Sequence, residues 1–137
     1  MDGDTLVIGR ERIRFDKIDA PEIKQTCTCK KETIQCGTAA KKALIDFISS
    51  NPVSCLPSGR DIYGRLIAEC FITVNKEKIS LNASMVRAGM AVVVSKDDEA
   101  LLAEESKAIK EKAGLWGCEA FQMPSDFRKS GQNNRSI

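Results

Sequence analysis

Strand-like alternation comes first along the chain. Leu6 to Ile8 and Ile13 to Ile18 are rich in β-formers, and Gly9-Arg10-Glu11 between them suits a tight turn, so the stretch predicts a β-hairpin. Ile23 to Gln35 is polar and cysteine-bearing and predicts a loop. Helical spacing takes over where Gly37-Thr38 opens a run with Ala40, Leu44, Phe47 and Ile48 on one stripe, ended by Ser49-Ser50-Asn51-Pro52. Lys41 and Lys42 lie off that stripe and read as a solvated face. Val53 to Leu56 and Leu66 to Val74 predict a strand pair, with Pro57 to Asp61 as a turn and Asn75 to Lys78 turning the chain again. Ser80 suits the N-cap of a helix over Leu81 to Ala88 that Gly89 closes. Met90 to Val94 predicts a buried strand. Asp97-Asp98 then start a third helix that carries Leu101, Leu102, Ala108 and Ile109 toward the core until Gly114 stops it. From Gly131 onward the composition is that of a disordered tail, set here at 129–137, after one domain over 1–128.

The first hairpin also concentrates chemistry. Asp4, in Asp2-Gly3-Asp4-Thr5, precedes its first strand, and Asp19, in Ile18-Asp19-Ala20-Pro21-Glu22, follows its second. In an antiparallel pair those positions lie at the same open end, where two carboxylates can share one hard cation. Pro21 fixes its own φ and pushes Ala20 out of the helical region, so Glu22 is held near that end. The constellation reads as a metal site with a base beside it. Either motif alone would be no more than a turn or a strand end.

Composition narrows the classes of chemistry. At 137 residues, with 42% hydrophobic and 29% charged, the chain fits one globular domain. No apolar run approaches the ~20 residues that span a bilayer. Twenty-one basic against nineteen acidic residues leave +2, so a polyanion must be held by local positive groups. The chain has no histidine, which excludes Ser-His-Asp triads and histidine-ligated zinc. The six cysteines, at 27, 29, 36, 55, 70 and 118, lack the paired spacing of a zinc ribbon. They favour disulfides, with Cys55 and Cys70 pairing across neighbouring strands, against the alternative of reduced buried thiols. Disulfides imply export to the periplasm or the medium, although no export signal is visible in this chain.

Asp-Gly-Asp-Thr, Ile-Arg-Phe and Ile-Asp-Ala-Pro-Glu, in this order and spacing, closely resemble the staphylococcal (micrococcal, or thermo-) nuclease family. Asp61-Ile62-Tyr63-Gly64-Arg65 is similar to the family segment that supplies a second active-site arginine, and the resemblance covers roughly residues 2 to 128. It implies an α+β fold, a five-stranded OB-type β-barrel closed by three helices, with Trp116 in the core. The family's apolar lead-in strand is reduced here to Met1, so a truncated first strand is expected.

The resemblance further implies a Ca²⁺ cofactor held by Asp4, Asp19 and the Ala20 carbonyl, with Arg14 and Arg65 forked onto phosphate oxygens and Glu22 as general base or as the group that orients water. The base role is preferred. It implies hydrolysis of single-stranded or denatured DNA and RNA with low sequence specificity, leaving 3′-phosphate ends, by a monomer. Tyr63 is the substrate contact. Ile62 stands where the family commonly has a basic residue, and no aromatic lies in Ala91 to Asp98, where a base-stacking tyrosine is expected. Two other readings are a non-catalytic module of the same fold that binds nucleic acid or protein, and a plain oligonucleotide-binding barrel. The first would have lost the arginines and carboxylates that this chain keeps together, and the second calls for more surface aromatics than Tyr63.

Overall fold

The computed structural model describes residues 2–135. The expected hairpin forms from β1, Thr5–Ile8, and β2, Glu11–Phe15, paired antiparallel with Thr5 opposite Arg14. Gly9 takes the left-handed conformation that its turn needs, at φ 61°. The pairing places Asp4 just beyond the end of the ladder, where its carbonyl accepts from the Phe15 amide at 2.8 Å. The chain then leaves β2 through β3, Ile18–Asp19, so Asp19 comes back to the same end.

The segment expected as a loop after Glu22 contains a small hairpin, β4 (Cys27–Cys29) with β5 (Glu32–Ile34). Alternation did not announce it because crosslinks hold it. Cys27 is bonded to Cys36 and Cys29 to Cys118, tying the hairpin to the start of α1, Cys36–Ile48, and to the C-terminal segment.

β6, Val53–Arg60, runs four residues further than expected before the turn at 61–65 leads into β7, Leu66–Val74. The Pro57-Ser58-Gly59 stretch is a bulged strand, with the register shifting between Pro57 and Gly59. β6 is the last strand of the path, where proline removes no inner ladder bond. Cys55 faces Cys70 across β6 and β7 and the two are disulfide-bonded, as expected, with Cα atoms 4.1 Å apart. Closing a loop of this size stabilises by about 3 kcal/mol in the chain-entropy account. The turn after β7 is only Asn75-Lys76, both left-handed at φ 50° and 69°, and β8, Glu77–Ser80, follows directly. Such a two-residue turn matches the twist of its flanking strands.

Ser80 caps α2, Leu81–Arg87, by accepting from the Ala83 amide, and Gly89 follows at φ 73°. β9 is shorter than expected, Val92–Val93, and pairs with β3, Val92 lying opposite Asp19. Asp98 caps α3, Glu99–Lys110, through the Leu101 amide. In the turn that follows, Leu115 is the core residue, while Trp116 is half-buried and packs edge-on against Phe121 at 5.2 Å. α4 spans Pro124–Arg135 and takes in residues expected to be tail. Its N-terminal end is fastened by a buried Pro124 and by ion pairs from Arg128. Ser136 and Ile137 lie outside the described residues.

The sheet order is β1-β2-β7-β6, with β8 also on β7 and β2 parallel to β7. The strands and four α-helices make an α+β domain, but among the described residues no strand pairing closes the sheet into the expected five-stranded barrel, and α4 is a helix beyond the expected three. Phe15, Ile18, Leu44, Leu81, Met85 and Val86 are fully buried between the sheet and α1 to α3. Each contributes roughly 1.5–3 kcal/mol by leaving water. Asn82 carries a polar tie through this core, accepting from the Cys70 amide and donating to the Asp16 carbonyl, both at 3.0 Å. Among the described residues, no helix is long and apolar enough to cross a membrane.

Candidate active site

β1, β2, β3 and the 61–65 turn end around one surface cavity. It is lined by Asp2, Asp4, Arg14, Asp19, Glu22, Tyr63, Arg65, Ser125, Arg128 and Lys129. Six of the seven residues singled out from the sequence therefore line one site. The seventh, Ala20, is buried behind it and donates its amide to Asp4 Oδ2 at 2.8 Å.

Arg14 organises the carboxylates. Its Nη1 lies 3.0 Å from Asp4 Oδ2 and its Nη2 3.1 Å from Asp19 Oδ1, and Nη1 also donates to the Phe15 and Ile18 carbonyls at 3.1 Å. These bonds fix the guanidinium edge against the β2–β3 corner. Both of its terminal nitrogens are engaged, so Arg14 reaches a phosphate only by sharing or exchanging these partners.

Asp4 and Asp19 are each 4% exposed. Burial pushes the Asp4 carboxyl up to about 6, outweighing the pull of Arg14 and of the Ala20 amide. The unfolded carboxyl ionises in the ordinary range, so between about pH 4 and 6 the folded chain keeps a proton that the unfolded chain has released. This group's contribution to stability therefore falls as pH rises through that window and stays lowered above it. Asp4→Asn, measured in chelator, is expected to raise stability at pH 7 by about 1–2 kcal/mol, a gain that disappears below about pH 4. Thermal unfolding across pH checks this.

Glu22 is held by the backbone behind it. Its amide donates to Gln25 Oε1 at 3.2 Å, and the buried Gln25 is anchored by its own amide nitrogen to the Gln122 carbonyl. α1 packs so close that a Cβ on Gly37 would come within 1.7 Å of the Glu22 carbonyl oxygen, so only glycine fits there. Gly3 meets Ala40 of the same helix in a similar way, at 2.8 Å.

Arg65 is set by Asp61, whose Oδ2 accepts from Nε at 2.7 Å while Oδ1 accepts the Tyr63 and Arg65 amides. This pair uses Nε and leaves the terminal fork to the cavity that Arg65 lines. The guanidinium lies over the Tyr63 ring, 5.6 Å from its centre. Tyr63 and Ile62 are exposed at the tip of the turn.

Sequence reasoning passed over Arg128. Its Nη1 and Nη2 bond Asp19 Oδ1 and Oδ2 at 3.1 and 2.8 Å, and Nη1 bonds Glu22 Oε1 at 2.7 Å. The Asp19 bond first, then Glu22, holds its charge more firmly than usual. Pro124 to Arg128 falls within the stretch that resembles the family, yet nothing in its spacing assigns Arg128 a partner.

The donor chemistry fits a hard divalent cation. Two buried carboxylates face one cavity, and Asp4 is poorly compensated by Arg14, so a dication there would supply the missing positive charge. The carboxylates come as a pair, since among the described residues no group of three or more Asp, Glu, Cys or His is arranged to hold a metal ion. Further ligands would have to be backbone carbonyl and water.

Residues 12–118 match the family described as Staphylococcal nuclease homologue, a span that includes Arg14, Asp19, Ala20, Glu22, Tyr63 and Arg65 but neither Asp4 nor Arg128. The "Succinoglycan biosynthesis protein ExoI" of Rhizobium meliloti (strain 1021) is 35% identical over 119 residues, covering 85% of this chain and 61% of its own length. The "Probable endonuclease LCL3" of Komagataella phaffii (strain GS115 / ATCC 20864) is 28% identical over 125 residues, covering 85% of this chain and 54% of its own. The chain thus spans less than two thirds of the length of these relatives. With the match over most of its residues, this chain belongs to the staphylococcal nuclease homologue family.

Proposed function

We propose that this domain is a Ca²⁺-dependent phosphodiesterase that cuts single-stranded or denatured DNA and RNA with low sequence specificity and leaves 3′-phosphate ends. The observation that carries the reading is the meeting of Asp4, Arg14, Asp19, Glu22 and Arg65 around one open cavity. A relative named "Probable endonuclease LCL3" fits it.

Asp4, Asp19 and the Ala20 carbonyl would hold the cation, which, when bound, neutralises a phosphate oxygen and favours an attacking water. Arg65, braced through Nε, offers its two terminal nitrogens to the phosphate oxygens as negative charge builds on them. Tyr63 steadies that guanidinium through its ring and can give its hydroxyl to a neighbouring phosphate. Glu22 takes the proton of the attacking water, and its place at the cavity rim beside Asp19 suits that role. Arg14 keeps the two carboxylates apart and aimed at one place.

Single strands are the proposed substrate because Arg65 and a cation must reach one phosphate from different sides, which a flexible strand permits and a stacked duplex resists. The absence of aromatics in 91–98 leaves base recognition weak, in keeping with low sequence specificity, and Ile62 offers no charge to a neighbouring phosphate. The three disulfides suit maturation in an oxidising compartment, so we place the protein in the periplasm or outside the cell, as a monomer. Digestion of denatured DNA and RNA with Ca²⁺ or chelator, with analysis of the ends, tests the reading.

A further inference from the structure

We propose that Arg128 is an internal cation that competes with the divalent ion for Asp19, so that α4 sets the metal affinity of the site. The inference rests on the metal reading above and goes beyond it by assigning a role to a helix outside the family match. Both Asp19 oxygens already receive Arg128, and Oδ1 also receives Arg14. Oδ1 thus accepts two bonds and Oδ2 one, and with Asp19 only 4% exposed a cation that reaches it meets the Arg128 charge already bonded to both oxygens. Arg14 is pinned by two backbone carbonyls and is the costlier one to move. Arg128 is bonded to side chains alone, Asp19 and Glu22, and its own side chain is 42% exposed, so it can swing outward without burying or stranding a charge.

The same movement frees Glu22, whose Oε1 receives Arg128 at 2.7 Å. Cation occupancy and release of the base are thereby coupled. Arg128 lines the same cavity as Arg65 and Lys129, so once displaced it stands where a phosphate would meet it. A phosphate would hold Arg128 in the outward position and so favour the cation. Each ligand should then strengthen the other by the same factor, as linkage requires.

Calorimetric Ca²⁺ titration of wild type, Arg128→Gln and Arg128→Met, with and without a short non-cleavable single-stranded oligonucleotide, tests this. Both variants remove the charge while one keeps an apolar stem, and thermal unfolding shows that each is folded. Without oligonucleotide, Ca²⁺ should bind the variants at least about tenfold more tightly, the gain expected when the competent form is roughly one in ten of the wild type. The oligonucleotide should tighten Ca²⁺ binding in wild type and much less in the variants. Equal or weaker Ca²⁺ affinity in the folded variants, with wild type binding normally, overturns the competition and leaves the metal reading standing. No Ca²⁺ binding by any of the proteins overturns both.

Discussion

Glu22→Gln is expected to lower turnover by at least about 10²-fold, the lower end of what a positioned general base contributes. The substitution is nearly isosteric, and the amide oxygen can still accept from Arg128, which now bonds Oε1 at 2.7 Å. The loop that holds residue 22 depends on its amide, on Gln25 and on the Gly37 contact, none of which involve the carboxylate. What is lost is the ability to take a proton. Glu22 is proposed to lie outside the ligand pair, so Ca²⁺ and nucleotide affinities should not fall with the rate. Single-turnover rates beside calorimetric affinities make the check. A fall in Ca²⁺ affinity that matches the loss in rate would move Glu22 from base to ligand.

Arg65→Lys is expected to lower turnover by at least about tenfold, equivalent to ~1.4 kcal/mol of transition-state stabilisation. Charge is preserved, so any loss belongs to geometry. Arg65 spends Nε on Asp61 and keeps a planar fork for the cavity, whereas an ammonium must choose between Asp61 and the phosphate. The Tyr63 ring beneath the guanidinium also loses a flat partner. Comparing the rates of wild type and Arg65→Lys at saturating substrate decides the matter. Near wild-type turnover would make Arg65 a structural partner of Asp61 only.

The residues that form the cavity were legible because they sit at the ends of elements whose pattern is strong. Asp4 and Asp19 flank a hairpin with clear β-formers, and Pro21 stiffens the exit toward Glu22, so their meeting follows from antiparallel geometry. Arg65 and Tyr63 entered through a recognisable segment, although the turn that carries them lies past Arg60 and not at Pro57 to Asp61. Pro-Ser-Gly reads as a turn locally, and only its place on an edge strand allows it to continue as a bulge.

The β4–β5 hairpin escaped notice because its order comes from Cys27–Cys36 and Cys29–Cys118, and connectivity is not written in spacing. Arg128 escaped for a similar reason. Its partners lie more than a hundred residues earlier, and nothing local distinguishes it from a surface arginine.

A calcium ion at Asp4 and Asp19, beside Glu22 and Arg65, is proposed to make this domain a nuclease. The most direct test is the initial rate of digestion of heat-denatured DNA and of RNA in Ca²⁺, in Mg²⁺ and in chelator, with the product ends identified. Cutting to 3′-phosphate ends is expected in Ca²⁺ and none in chelator. In Mg²⁺ slow cutting is expected, since strict octahedral geometry and reluctant dehydration suit a loose carboxylate-carbonyl-water shell poorly. Undiminished cutting in chelator would contradict the metal mechanism, and tight nucleotide binding with no cutting in Ca²⁺ would make the domain a binding module instead.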